Sequence, residues 1–308
     1  VCEKVGGNDM YDVVPKKVAK IGETEYETLE AAVKAATKGQ TIELIRDVRN
    51  GYGVKIEKDL TIDFAGFKYQ LKKGVGSATT ETNGLQILAG NTVALQNGAL
   101  EVNPIFKYYF YILVQNYANL TVNNMNLVDE TEHILYVLSN NSGKVSVTGT
   151  TSITKNDNGS KPIAFDVCKY QSYEAPVVTI TSTGMFDGDF EISEGLDENL
   201  HIQAGTYIKP VQNWCDPQYF SFENVGENTW TVRGPYVARI EDTYYATLPA
   251  AVEAAQDDDV VYLVCDAIGA GTVIDKDITI DFDDFTYTFN KTVGSAGTTT
   301  LGFQILKN

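Results

Sequence analysis

The chain has 308 residues and a formal net charge of −17, from 24 Lys and Arg against 41 Asp and Glu. That length can bury a sizeable core in about two domains. The acidic balance repels nucleic acid and anionic lipid, and no apolar stretch is long enough to span a membrane. We therefore expect neither nucleic acid as a partner nor insertion into a membrane.

A short helix is the first predicted element. Thr28 is a suitable N-cap, and apolar residues recur at helical spacing over residues 29–36. Gly39 is expected to end this helix. A second copy of the segment has Asp257–Asp259 in place of this ending, so we expect it to end differently.

Short strands with period-two patterning follow, and each is interrupted by Gly or Asn before a second short strand. This recurrent unit predicts a right-handed parallel β-helix, whose corners need left-handed residues. A β-sandwich would also explain the short strands, but it would not explain the recurrent unit. The predicted corners are Gly66, Gly98, Asn124, Gly149, Gly184 and Gly205.

A hairpin is predicted where this series ends, from Gln218–Glu223 through a turn at Gly226 to Asn228–Val232. The open edges of a stacked sheet invite aggregation. We expect the initial helix to cap one end of the β-helix and this hairpin to close the other.

The chain also repeats itself. Val18–Ala36 returns as Val237–Ala255, and Lys58–Phe64 returns as Lys276–Phe282. A repeat this long indicates tandem modules, although a single module with a decayed second copy is an alternative. The predicted organisation is the closing hairpin of a preceding module (1–16), a complete module (17–235) and the N-terminal part of a following module (236–308).

The Thr-Leu-x-x-Ala-Val helix beginning at Thr28, followed by Gly39-Gln-Thr-Ile42, resembles the N-terminal cap of the pectin-lyase-like right-handed parallel β-helices. The repeated unit is similar to modules of large surface proteins of gut Firmicutes. The Tyr219–Phe222 and Thr229–Val232 strands resemble the hairpin that precedes each copy in those proteins. The resemblance implies the fold, but it says little about function, because this fold carries unrelated activities.

Catalytic motifs are not evident. Galacturonan hydrolases with this fold use Gly-His-Gly and Arg-Ile-Lys together with paired carboxylates, and this chain has neither tripeptide. Its Asp283-Asp284 pair aligns with Ala65-Gly66 and lies outside the complete module. The resemblance therefore gives no catalytic residue, and we expect the protein not to be an enzyme.

No cofactor or metal site is predicted. Ca²⁺ binding at Asp187–Asp189 or Asp257–Asp259 is a weak alternative to solvated acidic turns. His133 and His201 have no partner at metal-ligand spacing. The four cysteines also lack such spacing, which leaves isolated thiols or a Cys168–Cys215 disulfide as interpretations.

Aromatic residues give the only candidate binding surface. If Lys107–Val114 is a strand with Phe110 facing inward, Tyr109 and Tyr111 face outward. Outward aromatic rings are typical of glycan-binding surfaces and protein interfaces. The alternative is that a loop over residues 156–176 buries these rings. The candidate binding residues are Tyr109, Tyr111, Tyr170, Tyr173 and Trp214.

The predicted function is therefore that of a repetitive, non-enzymatic stalk or adhesin on a bacterial cell surface. It would present a face to glycans or to host or cell-surface proteins, and further copies of the module would add reach and multivalency. The alternatives are a phage or prophage fibre or tailspike-like protein on a virion, and a polysaccharide lyase or hydrolase with an unrecognised site.

Overall fold

The computed structural model describes residues 2–4, 11–13, 16–77, 80–129, 134–155, 163–294, 297 and 300–306. It is mainly β, with two short α-helices and largely parallel sheets. Two compact units are present: Val1–Trp214 with Phe222–Thr231, and Cys215–Ser221 with Val232–Asn308. No helix in the described part of the chain is long and apolar enough to cross a membrane.

The elements up to the end of the hairpin are one helix, α1, and twenty-five strands. They are β1 (Cys2–Lys4), β2 (Tyr11–Val13), β3 (Ala19–Ile21), β4 (Thr24–Tyr26), α1 (Leu29–Ala35), β5 (Gln40–Leu44), β6 (Val48–Tyr52), β7 (Val54–Ile56), β8 (Leu60–Asp63), β9 (Lys68–Lys73), β10 (Val75–Ser77), β11 (Thr80–Ile87), β12 (Thr92–Val102), β13 (Ile112–Asn116), β14 (Asn119–Asp129), β15 (Tyr136–Asn140), β16 (Lys144–Thr148), β17 (Ser152–Lys155), β18 (Ile163–Val167), β19 (Val177–Ile180), β20 (Met185–Asp187), β21 (Asp189–Ile192), β22 (Leu200–Ile202), β23 (Gly205–Tyr207), β24 (Phe220–Asn224) and β25 (Thr229–Arg233).

The remaining elements repeat the order strand, strand, helix and strands found at the start of the first unit. They are β26 (Ala238–Ile240), β27 (Thr243–Tyr245), α2 (Leu248–Ala254), β28 (Val260–Leu263), β29 (Ala267–Ala270), β30 (Thr272–Ile274), β31 (Thr279–Asp281), β32 (Tyr287–Lys291) and β33 (Phe303–Ile305). Three short 3₁₀ helices lie at Pro104–Tyr109, Asp197–Asn199 and Gln212–Trp214.

Three ladders of parallel strands make up most of the first unit, and the chain visits them in turn. The first ladder contains β5, β8, the first halves of β12 and β14, then β16, β19 and β22. The second contains β6, β9, the later halves of β12 and β14, then β17, β20 and β23. The third contains β7, β11, β13, β15, β18 and β21. This parallel pairing argues against the antiparallel β-sandwich.

The register of each ladder places one apolar residue above the next. In the first ladder a fully buried column forms the core, and its members are Ile42, Ile62, Leu95, Val122, Val147, Ile180 and Ile202. Burying each such side chain contributes about 1.5–3 kcal/mol relative to exposure. The period-two pattern of the sequence therefore produces the core directly.

Left-handed residues occupy several corners between the first and second ladders, including those predicted at Asn124 and Gly149, but the predicted corner Gly184 is not left-handed. Asn97, Asn124 and Gly149 have φ values of 59°, 51° and 66°. The amide of Asn124 donates to Oδ1 of Asn97 at 3.4 Å, so successive corners are also linked by side chains. The corner predicted at Gly98 lies at Asn97 instead, because Asn also tolerates the left-handed conformation.

Helix α1 begins as predicted, with the Thr28 hydroxyl accepting from the Ala31 N–H at 3.0 Å. It ends earlier than predicted, because Ala36 is already extended and Gly39, with φ +83°, turns the chain into β5. Helix α2 ends in the same way rather than differently, and Asp258 takes the left-handed turn with φ 71°.

The prediction of one strand over Lys107–Val114 is wrong. Pro104–Tyr109 forms a 3₁₀ helix, which the Asn103 side chain caps by accepting from the Ile105 N–H at 3.1 Å. Strand β13 begins only at Ile112. Proline at the first helical position favours this helix.

The cysteines that the structure describes are free thiols, so the Cys168–Cys215 disulfide does not form. The side chain of Cys2 lies outside the described residues. Cys265 is buried, and its Sγ donates weakly to the Tyr236 carbonyl at 3.5 Å. Cys168, Cys215 and Cys265 are therefore thiols rather than halves of a disulfide.

The predicted hairpin is present as β24 and β25, and Asn224 bonds to Thr229 and Thr231 at 2.9 Å. It continues the second ladder only, since β25 lies beside β23. Among the strands of the described residues, β22 is the last in the first ladder and β21 is the last in the third. At the N-terminal side of the chain, β1 and β2 form an antiparallel pair, and their assignment to a preceding module stays a prediction.

Glycine makes room for a tyrosine ring in both units, where Tyr69 is buried and Tyr287 is partly buried. The Tyr69 hydroxyl donates to the Tyr52 carbonyl at 2.8 Å, and a Cβ at Gly51 would lie 2.3 Å from the Tyr69 ring. Tyr287 donates to the Ala270 carbonyl at 2.9 Å in the same way. Because Tyr69 is held at both its ring and its hydroxyl, it has little freedom to move away.

We expect Gly51→Ala to lower the free energy of unfolding by about 1–3 kcal/mol, since overpacking displaces a fixed ring. Urea denaturation measures this. The same substitution in a Tyr69→Leu background should have a clearly smaller effect, because the ring is gone. Equal losses in both backgrounds would show that contact with Tyr69 is not the cause.

Candidate functional site

The outer face of the third ladder carries the candidate site. The core side of this ladder holds a buried apolar column that includes Leu85, Val114, Leu138 and Phe165. The residues that follow these four in sequence point the other way and are polar. We call them, together with Glu191 on β21, the polar column: Gln86, Gln115, Ser139, Asp166 and Glu191.

Hydrogen bonds join two neighbouring pairs within the polar column, Gln86 with Gln115 and Ser139 with Asp166. The Gln86 amide donates to Oε1 of Gln115 at 2.8 Å. The Ser139 hydroxyl donates to Oδ2 of Asp166 at 2.9 Å, and the Asn140 backbone N–H donates to Oδ1 of the same carboxyl. These bonds hold the Asp166 side chain in one orientation.

Tyr136 crosses over the strand that carries Asp166. Its hydroxyl donates to Oε2 of Glu191 at 2.7 Å. Tyr136 begins β15 and Glu191 lies in β21, and β18 with Asp166 lies between these strands. Asp166 is therefore covered on its outer side and is only 5% exposed, although it faces away from the core.

Burial is the main reason that the pKa of Asp166 rises to about 7, and the nearby Glu191 carboxylate raises it further. The hydrogen bonds from Asn140 and Ser139 oppose this increase. Burial, and then the bond to Glu191, raise the pKa of Tyr136 as well, so its hydroxyl keeps its proton. The site thus contains one carboxyl group that titrates near neutral pH.

Three tyrosines form an aromatic cluster beside the polar column. Tyr117 follows β13, and its ring centroid lies 5.7 Å from that of Tyr170 and 5.2 Å from that of Tyr173. A turn in which the Tyr173 N–H donates to the Tyr170 carbonyl at 3.1 Å presents the latter two rings. Tyr170 is 41% and Tyr173 is 38% exposed, so parts of both rings face solvent.

Tyr117 connects the cluster to the polar column. Burial, followed by the neighbouring Tyr170 and Tyr173, raises the pKa of Tyr117 to about 12, and Asp166 contributes to the same shift. From β13 to β21 the face spans three strand spacings, or roughly 14 Å. Such a face combines flat aromatic surface with hydrogen-bonding groups over the length of an oligomeric ligand.

Among the predicted binding residues whose side chains the structure describes, Tyr170 and Tyr173 lie together. Tyr111 is 53% exposed just before β13, but no ring contact joins it to the cluster within the described residues. Trp214 is in a different place, where its ring lies 6.1 Å from that of Phe190 and its indole N–H donates to Asp197 at 3.0 Å. Tyr109 lies in the 3₁₀ helix, and its side chain is outside the described residues. Residues 156–162 of the predicted covering loop are outside them too.

Sequence reasoning missed Tyr117, Tyr136, Asp166 and Glu191. The sequence did contain a signal, because three segments share a pattern in which a polar residue follows an apolar one. These segments are Val114–Tyr117, Leu138–Asn141 and Phe165–Cys168. Aligning these strands would have placed Ser139 beside Asp166. The pairing of Tyr136 with Glu191 depends on a side chain that crosses a strand, and no spacing indicates it.

The acidic pairs considered as Ca²⁺ sites have structural roles. Asp189 pairs with Lys209, and Asp257 accepts from the Asp277 N–H at 3.0 Å. Asp283 and Asp284, which were considered as paired carboxylates for catalysis rather than as a Ca²⁺ site, are the left-handed residues of a turn, with φ values of 44° and 65°. In the described part of the chain no group of three acidic, His or Cys side chains is placed to hold a metal ion. His201 lies in β22, and His133 is outside the described residues.

Comparison with protein-family models, with curated proteins and with solved structures found no match to this chain.

We expect stability to fall as the pH rises from about 4 to 7. The folded state holds a proton on Asp166 with a pKa near 7, whereas the unfolded group has a pKa near 3.8, so the stabilisation present at low pH is lost as the pH approaches 7. The difference corresponds to at most about 4 kcal/mol.

The Asp166→Asn variant should lose this pH dependence and be more stable than the parent at pH 8, as measured by urea denaturation across the pH range. Glu227→Gln, at an exposed turn, is the control and should change nothing. An unchanged pH profile in Asp166→Asn would show that another group is responsible.

Proposed function

We propose that the first unit is a right-handed parallel β-helix. Three parallel ladders visited in turn, with left-handed residues at the corners, support this proposal. Parallel crossover connections are right-handed in nearly all proteins. The helix α1 and the strands β3 and β4 would cap the first coil.

The proposed function of this β-helix is to present a glycan-binding face without catalysis. The observation that carries the proposal is the cluster of Tyr117, Tyr170 and Tyr173 beside the polar column. Exposed tyrosine rings offer flat apolar surface to the faces of sugar rings, and the tyrosine hydroxyls stay in contact with water. The Gln86 and Gln115 amides and the exposed Glu191 carboxylate of the polar column offer partners for sugar hydroxyls.

A rigid scaffold of this kind suits a bacterial surface protein in which several modules act together. The net charge of −17 keeps such strand-rich modules from associating. Repetition would convert a weak site into avid binding. A virion fibre would use the same geometry, and neighbouring capsid genes would favour it.

We expect the protein to bind a subset of neutral glycans on a glycan array. The Tyr170→Ala/Tyr173→Ala double variant should bind at least tenfold more weakly, because it loses both exposed rings. Tyr52→Ala is the matched control, since Tyr52 is 40% exposed but lies on β6. No binding by the parent protein would remove the adhesin function and leave a spacer.

Glycoside hydrolysis is a second candidate function, and the adjacent carboxyls of Asp166 and Glu191 favour it. Their strands are about 4.8 Å apart, close to the carboxyl separation of retaining glycosidases. Asp166 would protonate the glycosidic oxygen, and Glu191 would attack the anomeric carbon before water releases the sugar. The cover that Tyr136 provides over Asp166 argues against this function.

Incubation with neutral polysaccharides tests this second candidate. If hydrolysis occurs, new reducing ends should appear, and Asp166→Asn or Glu191→Gln should each abolish them. A parent protein that releases none is not a hydrolase of those substrates, which is the result that we expect.

A further inference from the structure

The third ladder ends in an open strand edge. Strand β21 pairs with β18 on one side, and no described strand pairs with it on the other. The hairpin of β24 and β25 continues the second ladder instead. The backbone groups on the free side of β21 are therefore available to another chain.

The direction of the backbone groups alternates along β21, and this alternation shows which N–H groups point to its free side. The Ser193 N–H donates to the Val167 carbonyl of β18 at 3.0 Å. In a parallel strand the residues alternate in the side to which their backbone groups point. The N–H groups of Phe190 and Ile192 therefore point away from β18.

A small pocket lies next to this edge. Its volume is about 140 Å³, and its lining combines apolar side chains, among them Phe190, Tyr207, Val211 and Trp214, with the Asp189–Lys209 ion pair. That volume fits one aliphatic side chain. Recognition by strand addition uses this combination, in which backbone bonds give affinity and a side pocket gives specificity.

Charge around the edge indicates what kind of chain fits. Glu191 lies on β21, and Glu194 and Glu198 follow it, all of them exposed. The nearby Lys209 is paired with Asp189. Two copies of β21 would bring these carboxylates together, which disfavours self-pairing. A strand rich in lysine or arginine would instead be attracted.

We propose that β21 accepts an extended basic segment of a partner protein as an additional strand, with one aliphatic side chain in the pocket beside Trp214. This interaction is separate from glycan binding, since it uses the edge of the sheet rather than its outer face.

A fluorescent seven-residue peptide of alternating lysine and valine, followed by anisotropy, tests the proposal. It should bind the full chain, and Ile192→Pro should weaken binding at least tenfold, because proline removes an edge N–H. Ile192→Ala is the matched control. It removes the side chain but keeps the N–H, so its binding should stay within about threefold of the parent, and thermal unfolding confirms that both variants fold.

Three results would overturn the proposal. One is equal binding by the Ile192→Pro and Ile192→Ala variants. Another is equal binding of a peptide in which glutamate replaces lysine, which would contradict the charge argument. The third is a concentration-dependent dimer that Ile192→Pro abolishes, which would identify a second copy of the chain as the occupant.

Discussion

The parallel backbone register between successive strands is the constraint on which the rest of the structure depends. It places Ile62 above Ile42 and below Leu95, so one apolar column continues through the first ladder. A slip of one residue would turn such a column outward and expose it. The left-handed corners at Asn97 and Asn124 keep this register, because each turns the chain from the half of its strand in the first ladder to the half in the second ladder.

The same register creates the candidate site on the opposite face of the strands. Phe165 and Val167 point into the core, so Asp166 must point outward between them. Register then aligns Asp166 with Ser139 on one side and Glu191 on the other. Core packing and strand register thus bring the Asp166 and Glu191 carboxyls together and place the Ser139 donor beside Asp166. They do not explain the position of Tyr136, whose side chain covers Asp166.

Local patterns allowed much of the fold to be predicted from the sequence. The Thr28 cap, most corners and the hairpin depend on residues close in the chain, and they were found. The prediction of a strand over Lys107–Val114 was wrong. It was based on the alternation of side chains and took no account of Pro104, where a helix begins. Tyr170 and Tyr173 could be selected from the sequence because of their residue type. Asp166 and Glu191 could not, because they become neighbours only when strands that are distant in the sequence pair. Trp214 has the right residue type but lies elsewhere, because it packs on Phe190.

The three ladders end differently, and this difference bears on function. A hairpin continues the second ladder, whereas β22 and β21 end the other two. β21 carries the exposed Glu191, and the exposed Glu194 and Glu198 follow it, so these carboxylates oppose pairing with a copy of the strand. A negatively charged edge protects against self-association while leaving its backbone donors free. The edge of β21 can therefore resist pairing with a copy of itself and still accept the basic strand that we propose, because the same charges that repel an acidic strand attract a basic one.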